Sequence, residues 1–468
     1  MKRFYILLPF LVSLGLFSFS ASALYADDGV ELGKKELDDL GKDLKAIFDA
    51  KMTSDRDADT KAQASFNKRM SEIAGKKGVA DIMRFCDQIY RVKELTIDKK
   101  DKVFKSKAGK GFVEHVFTDY TDQDRNYKYY VSIPKAYKPM AEERFPVLIY
   151  LHSKSGGKNS RAILKSVKNE LRTVFKDKAL LEKTFVIVPI GPELGKKKRL
   201  VEAANDWEKL DPGLKTAFIA VRVVMEKIVY DRGKVLVSGF GRNGLTALRF
   251  ATQYPSLFSG AFVVDAPLEP MYLENGGGMN FTFVSTSGND KGPAEALAEK
   301  FTGEDGGPRV TVVEDDAPAG KIPALTETGN KALLDLLALP SRNTCPDKIV
   351  MKSIDLSYNS NGWLQIHVMN NTTSMKIGSE DVPSIEAGVD RDSNTFSITS
   401  ERIGKFRIFL SDKLIDMDKK IVVNLNGEIR WEGTKERNPL LMVQMLFENW
   451  AGDYEVYTNY IDIESKDT

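Results

Sequence analysis

The sequence predicts an α/β protein: a doubly wound sheet preceded by short helices and followed by a C-terminal β-sandwich. Three observations carry that prediction. Residues 110–340 alternate apolar strand-like runs with helix-period segments, the order that builds a mainly parallel sheet covered by helices. Two of the runs, Pro146–Leu151 and Thr184–Pro189, are continuously apolar, as strands buried on both faces are. Beyond Pro340 the pattern changes to short strands of alternating apolar and polar residues.

The elements follow in order. Residues 1–26 read as an export signal: Lys2 and Arg3, then apolar Tyr5–Phe19, then small residues at Ser20–Ala23 and Ala26. The apolar run is short for a bilayer span, although an uncleaved anchor remains the alternative. Secretion or a periplasmic location is therefore expected, with no membrane association after cleavage. Residues 27–105 read as helical, with Leu37, Leu40, Leu44 and Ile47 on one stripe, then Phe66, Met70 and Ile73, then Val79, Ile82, Met83, Cys86 and Ile89. Such helices need a surface to pack on, and a cap on the next domain is the expectation.

Residues 106–340 form the α/β domain. Its expected strands are Tyr127–Ile133, Pro146–Leu151, Thr184–Pro189, Val235–Ser238, Gly260–Val264, Asn280–Ser285 and Arg309–Glu314, with a helix over Lys215–Ile228. Pro340–Pro346 reads as a linker into the β domain, residues 345–468. There Leu364, Ile366 and Val368 alternate with polar neighbours, as do Phe406, Ile408 and Leu410, and Ile421, Val423 and Leu425. Asn426-Gly427 predicts a two-residue hairpin turn, and Tyr454–Ile463 a last strand.

Composition bounds the function. With 42% hydrophobic and 29% charged residues the chain is ordinary globular protein, and a net charge of +2 gives no electrostatic case for nucleic acid. The basic run Lys196–Arg199 reads either as a solvated loop or as a face for an acidic polymer. Cys86 and Cys345 are free to pair or to be buried thiols. No Cys/His spacing suggests a zinc site, and no cofactor is implied.

The stretch Val235–Asp265 reads as strand, glycine-rich turn, helix and strand, with the turn at Gly239-Phe240-Gly241-Arg242-Asn243-Gly244. Around it, Tyr129–Tyr137 ends in Pro134-Lys135-Ala136-Tyr137, and Phe145–Leu151 runs into His152 with Gly156-Gly157 beyond. Tyr230–Val235 precedes the turn and Tyr254–Gly260 follows it. Over residues 110–340 this arrangement resembles the α/β-hydrolase fold, and more narrowly secreted esterases of the polyhydroxyalkanoate-depolymerase and feruloyl-esterase type. The resemblance implies a G-x-S-x-G elbow, an acid after a later strand, a histidine base after the last strand, and an oxyanion loop after the Pro146–Leu151 strand.

Placed on that frame, the chemistry is incomplete. Gly241 stands where the nucleophile belongs and has no side chain to attack with. Ser238 lies three positions earlier on the strand, where its hydroxyl should point elsewhere. Asp290, in Ser287-Gly288-Asn289-Asp290, takes the acid position or is simply a turn-forming carboxylate. Lys321, in Ala319-Gly320-Lys321-Ile322-Pro323, stands at the base position. His115, His152 and His367 fall elsewhere in chain order. The oxyanion loop keeps His152 but has Ser153 where the family has Gly.

Three readings follow. A degenerate hydrolase would bind or scaffold through a surviving cleft, with Arg242, Trp207, Asp265, Asp290 and Lys321 as lining candidates, and the Arg242 and Lys321 cations would favour an anionic ligand if they face it. An active ester or peptide hydrolase would need a non-standard site drawn from Asp290, Asp265, His152 and Lys321. The β domain would instead bind polysaccharide or a protein partner, with Trp363, Trp431, Trp450 and Tyr454 as a stacking platform or as core. The ligand expected is an unidentified small molecule, ester or polysaccharide.

Overall fold

The computed structural model describes residues 33–53, 55–77, 108–118, 125–138, 143–153, 160–176, 178–194, 199–200, 215–225, 228–269, 271–320, 324–343, 345–353, 355–356, 359–370, 379, 381–438, 441 and 457–465. The export segment, Trp207, Lys321, the Lys196–Lys198 part of the basic run, Cys86, Trp450 and Tyr454 lie outside them. The chain forms two compact units, Met1–Phe85 and Cys86–Thr468.

The first unit contains α1 (Lys34–Thr53) and α2 (Arg56–Lys77). The 3–4 spacing of the apolar residues places Leu40, Leu44 and Ile47 on one stripe of α1, and all are fully buried with Phe66 of α2. Asp43 of α1 ties the pair together by accepting from the Ser65 hydroxyl at 3.0 Å and from Arg69.

In the second unit the continuous apolar runs become the centre of a mixed sheet. Its strands are β1 (Phe112–Thr118), β2 (Arg125–Ser132), β3 (Val147–Leu151), β4 (Phe185–Leu194), β5 (Arg199–Leu200), β6 (Val235–Phe240), β7 (Gly260–Val264), β8 (Asn280–Ser287) and β9 (Arg309–Pro318). The order is β1-β2-β4-β3-β6-β7-β8-β9, with β5 pairing on β4. From β4 through β9 every neighbour on that path is parallel, while β2 runs antiparallel to both β1 and β4.

Helices cover both faces, because alternate residues of each central strand point to opposite sides. Val147, Ile149, Val235, Val237, Ala261 and Val263 pack with α5 (Lys215–Met225) and α6 (Arg242–Gln253), and Ala294 of α7 (Gly292–Lys300) joins them. Leu148, Tyr150, Leu236, Phe240, Phe262 and Val264 pack with α3 (Ser160–Val174), α4 (Lys178–Lys183) and α8 (Glu327–Ala338). No described helix is long and apolar enough to cross a membrane.

Two further sheets follow. One has the order β10-β13-β14-β16-β17 and the other β11-β12-β15-β18. Their strands are β10 (Lys348–Lys352), β11 (Ser360–Asn361), β12 (Leu364–Met369), β13 (Ser384–Asp390), β14 (Thr395–Glu401), β15 (Ile403–Leu410), β16 (Ile421–Leu425), β17 (Glu428–Gly433) and β18 (Asn459–Glu464). Ile385, Phe396 and Val423 of the first sheet share one apolar core with Leu364, Phe406 and Ile461 of the second. Asn426 and Gly427 take φ of 51° and 85° in the β16–β17 turn, the left-handed pair such a hairpin requires.

One expectation is corrected here, and one open alternative is decided. Val368 does not continue the core face begun by Leu364 and Ile366. A register shift at His367 turns Val368 outward, where it is 43% exposed. Trp363 is no stacking platform: it is fully buried, donates Nε1–H to the Pro346 carbonyl at 2.8 Å and packs on Phe396.

The segment read as a linker is a clasp. The Arg342 guanidinium donates to the carbonyls of Pro255, Phe258 (2.8 Å) and Gly277 (2.7 Å). Asn275 holds the backbone of Lys352 from both sides, accepting its N–H at 2.7 Å and donating to its carbonyl at 2.9 Å. These anchors precede β7 and β8, so the two smaller sheets join the large one at the amino ends of its parallel strands.

Candidate functional site

The opposite, carboxyl ends of those strands carry the glycine-rich turn. Gly241 links the last residue of β6 to the first of α6 with φ 53° and ψ −128°, a backbone that residues with a side chain rarely adopt. Its N–H donates to the Val264 carbonyl at 2.8 Å, and its own carbonyl accepts from Gly244 N at 2.9 Å. Among the described residues a Cβ at Gly241 would meet nothing within 4 Å, so the position opens away from them. Gly239 is different: a Cβ there would lie 2.6 Å from the Asn243 carbonyl carbon, inside the first turn of α6. The backbone thus has the sharp, strained strand-to-helix geometry that presents a nucleophile, and it presents no side chain.

Asn243 ties this turn to the end of β3 by donating Nδ2–H to the His152 carbonyl at 2.8 Å. His152 is fully buried, and burial holds its pKa below the ordinary value against the opposing Glu170 charge and Ser153 carbonyl. Its Nδ1 lies 2.8 Å from the Ser153 carbonyl, an acceptor, so Nδ1 carries the proton of the neutral ring. The Ser153 N–H donates at 2.8 Å to Glu170 of α3, a buried carboxylate that also accepts from the Tyr150 hydroxyl at 2.5 Å. Burial, then the Glu170 charge, push the Tyr150 phenol well above its usual pKa. The Ser153 amide therefore serves a core carboxylate.

The other described candidates are each engaged locally. Arg242 pairs with Glu269 at 3.2 Å, and Glu269 also holds Arg249 at 2.8 Å. Arg242 is thus a shared ion-pair member at the rim. Asp265 follows β7 with φ 50°, and its carboxylate accepts from both the N–H (2.8 Å) and hydroxyl (2.7 Å) of Thr286 at the end of β8. Asp290 is exposed and accepts the Gly292 N–H at 2.9 Å, the turn that opens α7. Ser238 is buried in register with Tyr150 and Phe262, on the face covered by α3, α4 and α8. Among the described residues no group of three His, Cys, Asp or Glu is placed to hold a metal.

Sequence reasoning missed Asn243, Glu170 and Asp315. Asp315 of β9 is 3% exposed and accepts from Ala317 N (2.8 Å), Thr326 Oγ1 (2.8 Å), Thr326 N and Gly329 N (2.7 Å). Burial pushes its pKa up, but the Thr326 hydroxyl and the three N–H groups outweigh it and hold the carboxyl below its ordinary value. It closes the loop between β9 and α8. The only local signal was a charged pair, Asp315-Asp316, ending an apolar strand.

No protein-family model and no curated protein matches the chain. Solved structures that do match include a thermostable esterase, 15% identical over 44% of this chain and 56% of that one, with a TM-score of 0.30. One of two fungal esterases from Rhizomucor miehei is 13% identical over 54% of this chain and 88% of its own, with a TM-score of 0.31. A ferulic acid esterase is 13% identical over 48% and 95%, with a TM-score of 0.28. The chain spans just over half the length of the first of these.

Proposed function

We propose that this is an exported α/β-hydrolase-fold protein that has lost serine-hydrolase catalysis and acts by binding or scaffolding. One observation carries the reading: at Gly241 a nucleophile-type backbone, φ 53° and ψ −128°, opens outward without a side chain. A hydrolase of this kind needs a nucleophile, a base and oxyanion donors together. Gly241 removes the first, Lys321 replaces the second, and the Ser153 amide is taken by Glu170. Asp265 and Asp290 support the reading too, since their carboxylates hold turns. Export rests on Lys2, Arg3 and the apolar Tyr5–Phe19 run.

The test is turnover of short-chain aryl esters and peptide substrates by the protein lacking residues 1–26. No turnover is expected from the native chain, and a measurable gain from Gly241→Ser combined with Lys321→His. Native turnover abolished by Asp290→Ala and kept by Ser238→Ala would overturn the reading in favour of a rebuilt site.

A further inference from the structure

One row of residues crosses the five-stranded sheet: Lys348, Gly388, Ser397, Asn424 and Ile429 are paired neighbour to neighbour. Their strand neighbours Ile349, Ala387, Ile398 and Val423 are buried in the core, so the row faces away from it. It floors a trough of about 490 Å³ whose lining includes Lys348, Glu386, Gly388, Ser397, Thr399 and Asn424. That volume falls within the range of small-molecule sites, ~300–1,000 Å³.

Gly388 is the informative member. A glycine inside a strand weakens it, and is usually explained by a bulge, a left-handed backbone or a close approach. Gly388 has no positive φ, and its pairing with β10 and β14 runs without a register shift. A Cβ there would lie 3.9 Å from the nearest atoms, the Asp347 and Ser397 carbonyl oxygens, which is ordinary contact. Among the described residues nothing requires this glycine. Its bare backbone leaves the outer face of the sheet open to close approach.

The chemistry of the trough selects what approaches. Ser397 and Thr399 offer hydroxyls and Asn424 an amide. Lys348 and Glu386 neutralise each other at 2.8 Å, so the trough's lining has no net charge to select an ionic ligand. At the end of the row Ile429 is 60% exposed, an apolar side chain left open beside hydrogen-bonding groups. Hydroxyl edges that bond and C–H faces that lie on an aliphatic side chain are the properties of a sugar ring.

We propose that this face of the five-stranded sheet binds a stretch of neutral polysaccharide lying across the strands over Gly388 and against Ile429. The proposal rests on the reading that the chain binds ligands, and it names a site remote from the Gly241 turn. Affinity electrophoresis of the protein lacking residues 1–26, in gels carrying xylan, mixed-linkage glucan, galactomannan or amylose, tests it. Retardation by at least one polymer is expected. Gly388→Val, whose Cβ the fold admits, should weaken it at least tenfold without lowering Tm, and Ile429→Ala several-fold. Arg407→Ala, on the other sheet beside Tyr460 and Asp462, should leave it unchanged. No retardation by any of the four overturns the proposal, as does retardation that survives Gly388→Val or a preference for heparin. The ester and peptide turnover panel decides the loss of catalysis independently.

Discussion

Gly239 and Gly241 stand two residues apart and should respond to the same substitution for different physical reasons. At Gly241, alanine adds a methyl that meets nothing within 4 Å among the described residues, so the cost to weigh is the backbone at φ 53°. A sparsely populated backbone costs about 1–3 kcal/mol. At ~2–4 °C per kcal/mol for a domain of this size, Gly241→Ala should lower Tm by a few degrees. At Gly239 the same methyl falls 2.6 Å from a backbone carbon of Asn243, and backbone cannot rotate away as a side-chain tip can. The first turn of α6 must move, which also breaks the Asn243 bond to the His152 carbonyl. Overpacking of ~1–3 kcal/mol plus a lost hydrogen bond of ~0.5–1.5 kcal/mol gives about 1.5–4.5 kcal/mol, with added strain wherever the helix resists. The assay is a thermal melt of both variants against the native chain by circular dichroism. Gly239→Ala should lose clearly more than Gly241→Ala. An equal loss, or the reverse order, would refute the tight-turn geometry.

Further outcomes follow from the same structure. A cysteine replacing Gly241 would sit outward at the N-terminus of α6, so Gly241→Cys should be alkylated by iodoacetamide at pH 7 faster than a free thiol, with buried Cys345 spared in the mass spectrum. Asp315→Asn should cost about 2–4 kcal/mol by weakening a carboxylate with four donor groups. Because Asp315 titrates below its ordinary value when folded, its contribution is present above about pH 4 and lost as pH falls through the folded pKa. The Tm gap between native and Asp315→Asn protein should therefore narrow in acid, and a gap that widens would count against the assignment. Arg342→Ala removes three backbone contacts at the clasp and should split the thermal transition into two, which scanning calorimetry would resolve.

Apolar patterning made the central sheet legible. β3, β6 and β7 appear where apolar runs place them, because strands covered on both faces carry apolar residues on both. β1 escaped, since Phe112–Thr118 mixes Glu114 and His115 into its apolar residues without a clean period. Val368 shows the limit of alternation: the register slips after Ile366 and is restored at Met369, so Val368 alone leaves the pattern, and nothing local announces it. At the site, glycine spacing found the turn. The partners that define its chemistry did not show, because Asn243 reaches a carbonyl 91 residues away and Glu170 an amide 17 residues away. Asp290 and Asp265 were legible as polar loop residues, while the bonds that occupy them depend on which strand ends lie side by side.

The Arg342 and Asn275 clasp has a mechanical consequence. It fixes the two smaller sheets at the amino end of the parallel strands, while Gly241 sits at the carboxyl end, so one strand's length separates them. For β6, with 6 residues at roughly 3.3 Å each, that is about 20 Å. The clasp makes the smaller sheets and the parallel strands one mechanical unit: a load applied to the smaller sheets enters the large sheet through the backbone around β7 and β8 and runs along its strands toward the Gly241 end.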